Sequence, residues 1–292
     1  MLPEAIREHL ASEYQLMVLS STYCSGGDIN EARRLDTPNG QLFIKWNLNS
    51  IQGMFSAEAK GLALLSSANV LKVPEVIAVH EADENAPAYL LLEWLESGHE
   101  TANSQNQLGE QLAALHQCIV PQHGLDHDNF IGSLPQYNHQ CISWVEFWGQ
   151  RRLLPQVELA RQKGLLSKQR EQRLMWLIQH LERFIPDEVA SSLLHGDLWR
   201  GNVMVLWDGS PAVIDPAVYY GHFEVELAFT ELFGGFSRGF YQAYWANTSF
   251  ERYGYEQRRG IYQLYPLLVH LNLFGQSYGR RIDATMDQLG IA

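Results

Sequence analysis

The first third of the chain has a hydrophobic pattern typical of short strands with one helix between them. Residues 41–46, QLFIKW, follow the turn sequence TPNG and are apolar or aromatic at most positions, as in the second strand of a hairpin. Two further buried strands are predicted for VPEVIAVHE and AYLLLEWL, on either side of the polar turn ADENAP. The alanine- and leucine-rich segment SAEAKGLALLSS predicts a helix with Ser56 at its N-cap.

From about Ser104 onward the apolar residues recur at helical spacing. In QLGEQLAALHQ one face of the predicted helix is formed by Leu108, Leu112 and Leu115. A second such pattern precedes Pro186. The change falls near residues 93–98, so we expect an α+β protein with a small β-rich lobe, residues 1–95, and a larger helical lobe, residues 96–292.

Two short strands interrupt the helical half around LLHGDLWRGNVMV, residues 193–205. The polar residues between them include His195, Asp197 and Asn202, in the order H-x-D-x-x-x-x-N. In phosphotransferases this spacing presents a carboxylate to the acceptor hydroxyl and, a turn later, an amide oxygen to Mg²⁺. The alternative is a polar turn whose Asp and Asn bond to the backbone.

A second carboxylate follows in AVIDP, where Asp215 ends a short apolar strand thirteen residues after Asn202. In kinase-like enzymes an Asp at this place binds Mg²⁺ beside the nucleotide phosphates. An isolated Asp after a strand usually forms a turn, but its position behind the loop with Asp197 favours the metal ligand.

Upstream, Lys45 lies within the apolar strand sequence FIKW, where its charge needs a partner. Phosphate oxygens and Glu58, in the helix that follows, are the candidates. The alternatives are an edge strand whose Lys extends to solvent and a solvated Glu58.

Two further segments are candidates for nucleotide contacts. Gly26 and Gly27 allow backbone N–H groups to approach phosphates closely, although the pair also fits an ordinary hairpin turn. The segment LLLEWLESG is the expected connector between lobes. There the main chain of Glu93, Trp94 and Leu95 is expected to bind the adenine ring.

The acceptor is expected to be small. Protein kinases follow the metal-binding Asp with a long segment ending in A-P-E, which does not occur in this sequence, and GHFEVELAF already predicts a helix by Glu224. Trp199 stands two positions after Asp197, where protein Ser/Thr kinases usually have Lys. Both features favour a small hydroxylated molecule over a protein surface.

Composition and charge agree with a soluble enzyme. The chain has 292 residues, 46% of them hydrophobic, and a formal net charge of -12, without a basic stripe or polybasic cluster. We therefore expect neither nucleic-acid nor membrane partners. The three cysteines lack a C-x-x-C spacing, and neither a signal peptide nor a membrane-spanning stretch is visible, so we expect a cytoplasmic protein.

The chain resembles the fructosamine-3-kinase (ketosamine kinase) family of the protein-kinase-like, aminoglycoside-phosphotransferase-like superfamily. The motifs that carry the resemblance are SGGDIN, FIKW, GLDHDNFIGSLPQYN, WVEFWGQRRLLPQ, LLHGDLWRGN, IDPAVYYGHFEVELA and LFGGF. It implies a two-lobed kinase-like fold, ATP with Mg²⁺, and phosphorylation of the 3-hydroxyl of ketosamines, the adducts of sugars with amines. The resemblance also implies that Asp197 accepts the hydroxyl proton. Asp28, where many members have Cys, and Arg200, where they usually have a small residue, depart from the family pattern.

For the sugar, Trp199 is expected to form a flat wall beneath the ring, with hydrogen bonds from Asn129, Gln136 and Asn138. Core packing is the alternative for Trp199. Two other functions stay open: a kinase of another amino alcohol, such as an aminoglycoside or choline, and a nucleotide-binding pseudokinase. Pseudokinases have usually lost the Lys, the catalytic Asp or a metal ligand. In this sequence Lys45 and the acidic and amide residues of the site are all present, which disfavours a pseudokinase.

Overall fold

The structure is a computed structural model that describes residues 1–24, 30–49 and 51–291. The chain divides into two compact units. The N-terminal unit consists of Met1–Ser104 and Gly201–Pro216, and the C-terminal unit of Gln105–Arg200 and Ala217–Ala292. An antiparallel sheet in the first and helices in the second confirm the predicted α+β fold. The division into lobes 1–95 and 96–292 stays a prediction.

The described residues form strands and helices with the following bounds. The strands are β1 Ser20–Tyr23, β2 Glu31–Thr37, β3 Gly40–Asn47, β4 Val76–His80, β5 Ala88–Glu93, β6 Ile119–Val120, β7 Asn129–Ile131, β8 Leu134–Gln136, β9 Ser191–Leu194, β10 Val203–Val205, β11 Pro211–Val213 and β12 Tyr219–Gly221. The α-helices are α1 Glu4–Tyr14, α2 Met54–Ser67, α3 Ala102–His116, α4 Trp144–Phe147, α5 Leu154–Gln162, α6 Lys168–Gln179, α7 Glu224–Thr230, α8 Arg238–Asn247, α9 Tyr255–Phe274 and α10 Gly279–Gln288. A π-helix, Trp148–Leu153, joins α4 to α5.

The N-terminal unit contains a five-stranded antiparallel sheet in the order β1-β2-β3-β5-β4. Successive side chains of a strand point to opposite faces. Ile44 and Trp46 of β3 are therefore on the face that packs in one core cluster with Ile6 and Leu10 of α1. Lys45 points to the other face, which is how an apolar strand sequence can present one ammonium group.

The prediction of Ser56 as an N-cap was wrong. Helix α2 begins two residues earlier, at Met54, after Gly53 in the left-handed conformation with φ 84°. Glu81 binds this helix start, because its carboxylate accepts hydrogen bonds from Gly53 N–H at 2.9 Å and from the Ser56 hydroxyl at 2.5 Å. A carboxylate from a distant segment thus supplies the cap that sequence proximity assigned to Ser56.

Strands β10 and β11 form a two-stranded antiparallel sheet that also belongs to the N-terminal unit. The N–H of Val213 donates to the carbonyl of Lys72 at 2.9 Å, and that of Gly98 donates to Val205 at 2.7 Å. These bonds fix the strand that ends just before Asp215. The chain enters this small sheet after the H-x-D-x-x-x-x-N loop, as the sequence predicts.

The C-terminal unit is mainly helical, with a three-stranded sheet in the order β12-β9-β6 and the hairpin β7-β8. Its core contains large buried aromatic side chains, and Trp144, Trp148 and Tyr262 contact one another with ring centroids 5.3–6.2 Å apart. None of the helices in the described ranges has the length and apolar character required to span a bilayer.

Candidate active site

The predicted site residues are distributed over both units, and each unit holds a compact group of them. Lys45, Glu58, Asn202 and Asp215 belong to the N-terminal unit, together with the connector residues. Asp197 and Trp199 belong to the C-terminal unit. Gly26 and Gly27, and with them Asp28, lie outside the described residues, so the expectation of a phosphate-binding hairpin stays a prediction.

The centre of the N-terminal group is the ammonium of Lys45. Its Nζ lies 2.6 Å from Glu58 Oε2 and 2.7 Å from Asp215 Oδ1, so one cation binds two carboxylates. The Lys45 side chain is 8% exposed and that of Glu58 13%, whereas the side chain of Asp215 is 51% exposed. Strand β3, helix α2 and the end of β11 therefore bring together three residues that the sequence separates widely.

The shared cation changes the proton affinities of this group. Burial alone would lower the pKa of Lys45, but the charges of Asp215 and Glu58 raise it above its ordinary value, so the ammonium stays charged. Burial raises the pKa of Glu58 to about 7, because the attraction of Lys45 only partly offsets it and Asp215 adds repulsion. Because two carboxylates share one buried ammonium, Glu58 is protonated more easily than an exposed Glu.

We expect Glu58→Gln to change how stability depends on pH. Between its usual pKa of 4.5 and about 7, folded Glu58 holds a proton that the unfolded chain releases, so the stability of the wild type falls as pH rises through this window. The amide does not titrate. The melting temperature of Glu58→Gln relative to wild type should therefore rise from about pH 5 to about pH 8, measured by calorimetry without nucleotide.

The matched control is Glu8→Gln, on the exposed surface of α1 in the same unit. This variant should keep a nearly constant offset in melting temperature from wild type over the same pH range. A Glu58→Gln offset that is equally constant would show that Glu58 is ionised throughout.

Asn202 and Asp215 are the candidate metal ligands. Asn202 is 6% exposed, and its Nδ2 donates to the main-chain carbonyl of Asp215 at 3.4 Å, so its amide group lies beside the backbone of Asp215. The N–H of Ile214 donates to the Asn202 carbonyl at 3.0 Å. Asp215 has φ 53°, a left-handed backbone that non-glycine residues adopt at a cost and that recurs at functional sites.

This donor set fits Mg²⁺ bound together with phosphates. A carboxylate and an amide are hard oxygen ligands, and Mg²⁺ is usually held by one or two carboxylates, waters and substrate phosphates. Within residues 1–24, 30–49 and 51–291, no group of three or more His, Cys, Asp or Glu side chains is arranged to hold a metal by itself. An ion at Asn202 and Asp215 would take its remaining oxygen ligands from water and from phosphates.

The connector follows β5. The N–H of Glu93 donates to the carbonyl of Glu75 at 2.9 Å, and its carboxylate binds Lys72 at 2.7 Å. The N–H of Glu93 therefore already has an acceptor, and the expected adenine contact of the Glu93 main chain stays a prediction. Apart from strand pairing, Trp94 and Leu95 have no main-chain hydrogen bond within the described part of the chain, and their role stays a prediction.

The C-terminal group is the loop after β9, residues 195–200. His195 is fully buried, and its Nδ1 accepts a hydrogen bond from the N–H of Asp197 at 3.3 Å. Gly196 has φ +84°, and a Cβ there would lie 2.0 Å from the carbonyl oxygen of Ala217. Any side chain at Gly196 would therefore displace the loop, so the glycine is required by close packing as well as by its φ.

Glu226 of α7 is a site residue that the sequence prediction missed. Its buried carboxylate accepts hydrogen bonds from two consecutive loop N–H groups, Gly196 at 2.7 Å and His195 at 3.1 Å, and from His116 Nε2 at 3.1 Å. Burial alone would raise the pKa of Glu226, but the hydrogen bond and charge of His116, the charge of His195 and the N–H of Gly196 lower it below its ordinary value. The signal in the sequence was a Glu within VELAF, where a buried charge requires partners.

The structure places the expected sugar contacts in two different environments. Trp199 is 40% exposed and so is not a core residue. Asn129, Gln136 and Asn138 are buried, at 5%, 1% and 0% exposure, and their amides bond to protein groups. The structure therefore does not support a direct contact of these three amides with a sugar, since they form hydrogen bonds within the C-terminal unit.

Comparison with known proteins decides the family. The fructosamine kinase family model matches residues 3–291, nearly the full chain. The chain belongs to the fructosamine kinase family. It is 34% identical over 292 residues to the ketosamine-3-kinase of Mus musculus, covering 89% of this chain and 92% of that one. It is 36% identical over 287 residues to the chloroplastic protein-ribulosamine 3-kinase of Arabidopsis thaliana, covering 95% and 85%.

Solved structures agree with the family assignment. A candidate fructosamine-3-kinase from Thermobifida fusca YX-ER1 has a TM-score of 0.87 and 29% identity, covering 99% of this chain and 100% of that one. Spectinomycin phosphotransferase APH(9)-Ia, solved with ADP and spectinomycin, has a TM-score of 0.63 at 14% identity, over 99% and 92% of the two chains, and so shows the shared fold. This member of the fructosamine kinase family has a kinase-like fold and is a phosphotransferase acting on a hydroxyl group.

Proposed function

We propose that this fructosamine kinase family member transfers the γ-phosphoryl group of ATP to the 3-hydroxyl of ketosamines, with Mg²⁺. The observation that supports this most is the group of Lys45, Glu58 and Asp215 in one unit, with contacts of 2.6 and 2.7 Å. Pseudokinases usually lack the strand Lys, the catalytic Asp or a metal ligand, whereas this chain has Lys45, Asp197 and Asp215. The substrate class comes from the family, whose named relatives act on ketosamines or ribulosamines.

In this proposal the N-terminal group binds the nucleotide. Lys45 binds phosphate oxygens and is oriented by Glu58, Asn202 and Asp215 hold Mg²⁺, and the main chain of Trp94 and Leu95 binds adenine. The ion supplies positive charge that offsets the charge on the transferred phosphoryl group. Lys45 is already charged and oriented before the nucleotide binds, which reduces the reorganisation that the reaction requires.

Asp197 provides the acceptor side of the reaction. The hydroxyl oxygen of the sugar attacks the γ-phosphorus, the bond to the β–γ bridging oxygen breaks, and ADP leaves. The hydroxyl proton passes to the carboxylate of Asp197, which is half-buried and held in its loop by the bond from its N–H to His195. The resulting 3-phosphate of a ketosamine decomposes to free the amine, so the proposed biological role is repair of glycated amines.

The net charge of -12 agrees with this acceptor class, because ketosamines carry an amine that is protonated at neutral pH. Choline and aminoglycosides are also cationic, so charge does not separate ketosamines from other amino alcohols. The separation requires a substrate panel. Fructosyl-lysine, ribulosyl-lysine, choline and an aminoglycoside are supplied in turn with ATP and Mg²⁺, and ADP release is measured.

Turnover on a fructosyl or ribulosyl amine, well above that on choline or the aminoglycoside, is the expected result. Preferred turnover of choline or the aminoglycoside would assign the second function. ATP binding without turnover of any of the four acceptors would point to the pseudokinase.

We expect Trp199→Ala to separate acceptor binding from nucleotide binding. If the indole ring lies against the sugar, the acceptor KM should rise by about tenfold or more while the KM for ATP changes by less than about twofold. Trp176→Ala is the matched control, since both tryptophans are 40% exposed and lie in the C-terminal unit. Equal changes in the two KM values would remove Trp199 from the acceptor site.

A further inference from the structure

Arg152 is a buried guanidinium for which the described part of the chain provides no carboxylate partner. Its exposure is 0%, and no Asp or Glu of the described ranges lies within ion-pair distance of it. Burial of a charge without a counter-ion is unfavourable, so a fold retains one only where other groups stabilise it. Arg152 is not among the proposed ligands of nucleotide, metal or acceptor.

Main-chain, amide and aromatic groups surround the guanidinium. Nη1 donates to the carbonyl of Tyr137 at 2.6 Å, and Nη2 donates to Asn138 Oδ1 at 2.7 Å. The guanidinium carbon lies 3.9 Å from the ring centroid of Tyr219 and 4.6 Å from that of Phe147. These rings and oxygens stabilise the charge through their negative faces and lone pairs.

The backbone that carries Arg152 is itself unusual. Residues Trp148–Leu153 form a π-helix between two α-helices, a conformation that is rare and is often found at functional sites. The extra residue per turn changes which side chains face the interior. Arg152 is buried there, whereas its neighbour Arg151 is half-buried and lines a surface groove.

The partner amide of Arg152 belongs to a hydrogen-bonded chain. Asn138 Nδ2 donates to Asn129 Oδ1 at 2.8 Å, and Gln136 Nε2 donates to the same oxygen at 2.9 Å. Asn129 Nδ2 in turn donates to the carbonyl of Val218 at 2.7 Å, and Gln136 Nε2 to that of Ala217 at 3.0 Å. The network from Arg152 therefore ends on the main chain directly after Asp215 and Pro216.

That main chain is bonded to the catalytic loop. The N–H of Ala217 donates to the carbonyl of His195 at 2.9 Å, and the Ala217 carbonyl packs against Gly196. Glu226 holds the N–H groups of His195 and Gly196, so carbonyl and N–H sides of the loop are both fixed. The hydrogen bond from Ala217 to the His195 carbonyl can hold the loop only if Ala217 is itself held in place.

Tyr265 bonds to the amide network and interacts electrostatically with both Arg152 and Asp197. Its hydroxyl donates to Gln136 Oε1 at 2.8 Å. Burial raises the pKa of Tyr265, the positive charge of Arg152 opposes this, and the negative charge of Asp197 adds to it. The same hydroxyl is thus within electrostatic reach of the buried cation and of the proposed proton acceptor.

We propose that Arg152 is a positioning residue for phosphoryl transfer: it orders the Asn138–Asn129–Gln136 network, which fixes Ala217 and, through Ala217, the loop that presents Asp197. This inference rests on the proposed role of Asp197. It makes Arg152 important for kcat and not for binding of nucleotide, whose proposed ligands are all in the other unit.

Arg152→Met tests this role, because Met has a similar length but neither charge nor donors. We expect kcat to fall by about 100-fold, the loss typical of a catalytic group displaced by about 1 Å, with ADP affinity and acceptor KM within about threefold of wild type. Arg152→Lys keeps the charge but has a single donor nitrogen, and its kcat should be about tenfold higher than that of Arg152→Met. Arg151→Met is the matched control and should have a kcat within about twofold of wild type.

A kcat of Arg152→Met within about threefold of wild type, or a loss confined to acceptor KM, would overturn the proposal. If Arg152→Met does not fold, Tyr265→Phe decides, since it removes only the hydroxyl that bonds Gln136. That variant should lower kcat by about threefold to tenfold at unchanged KM, and an unchanged kcat would contradict the network's role. All values are ratios to wild type on the best acceptor of the panel, so the result is independent of whether that acceptor is a ketosamine.

Discussion

Replacing Asp197 with Asn is expected to lower kcat by about 10³-fold or more while the affinity for ADP stays within about twofold of wild type. The amide has the same shape as the carboxyl group but cannot accept the proton of the sugar hydroxyl. The proposed nucleotide ligands, Lys45, Asn202 and Asp215, lie in the N-terminal unit and are unchanged. Steady-state kinetics and calorimetric titration with ADP measure the two quantities on the same protein.

Asp208→Asn is the control for this substitution, because Asp208 is exposed in the turn between β10 and β11. Its kcat should equal that of wild type. Wild-type turnover by Asp197→Asn would remove Asp197 from the reaction, and loss of ADP binding together with turnover would indicate that the substitution disturbs the nucleotide site instead.

Replacing Lys45 with Met is the second change for which we expect a large effect. The variant removes the ammonium that binds Glu58 and Asp215, so kcat/KM for ATP should fall by about 10³-fold. Removal of one partner from a buried ion pair usually costs about 3–5 kcal/mol of stability. Here the cost should be smaller near pH 6, because Glu58, with a pKa of about 7, is already largely protonated at that pH and leaves less uncompensated negative charge when Lys45 is removed.

Activity and melting temperature of Lys45→Met should therefore respond differently to pH. The loss of activity persists at all pH values, whereas the loss of melting temperature is greater at about pH 8 than at about pH 6. Lys60→Met, on the exposed side of α2 near Glu58, is the control and should change neither. Near-normal activity of Lys45→Met would contradict the proposed nucleotide site.

The sequence predicts those parts of the site that depend on local order. The strands and the helix that carry these residues have a clear hydrophobic pattern, so their positions can be predicted. This applies to the Lys within an apolar strand, to the Glu in the next helix and to the H-x-D-x-x-x-x-N loop. Lys45 and Glu58 form the expected ion pair at 2.6 Å because strand alternation and helix spacing fix the directions of their side chains. The family resemblance was also confirmed, since it depends on motifs spread over the whole chain.

The parts that sequence reasoning missed depend on long-range packing. Glu226 binds His195 and Gly196 across about thirty positions of sequence, and no local pattern specifies that pairing. Arg152 is buried within a π-helix, a conformation whose side-chain directions α-helical periodicity does not predict.

The amides of GLDHDNFIGSLPQYN show the opposite error. Polar residues near a proposed sugar site suggested direct contact, but Asn129 and Gln136 satisfy main-chain carbonyls in the interior. The sequence does not distinguish a buried Asn or Gln from an exposed one, and only the folded structure shows which amides are buried.

In the proposed mechanism Lys45, Asn202 and Asp215 bind one Mg²⁺–nucleotide complex. A crystal structure with Mg²⁺ and adenylyl imidodiphosphate tests it most directly. We expect Lys45 Nζ within hydrogen-bond distance of a phosphate oxygen, and Asn202 Oδ1 and an Asp215 carboxylate oxygen on the same ion at about 2.1 Å. A nucleotide bound with its metal on other side chains, or with Lys45 in contact with carboxylates alone, would contradict it.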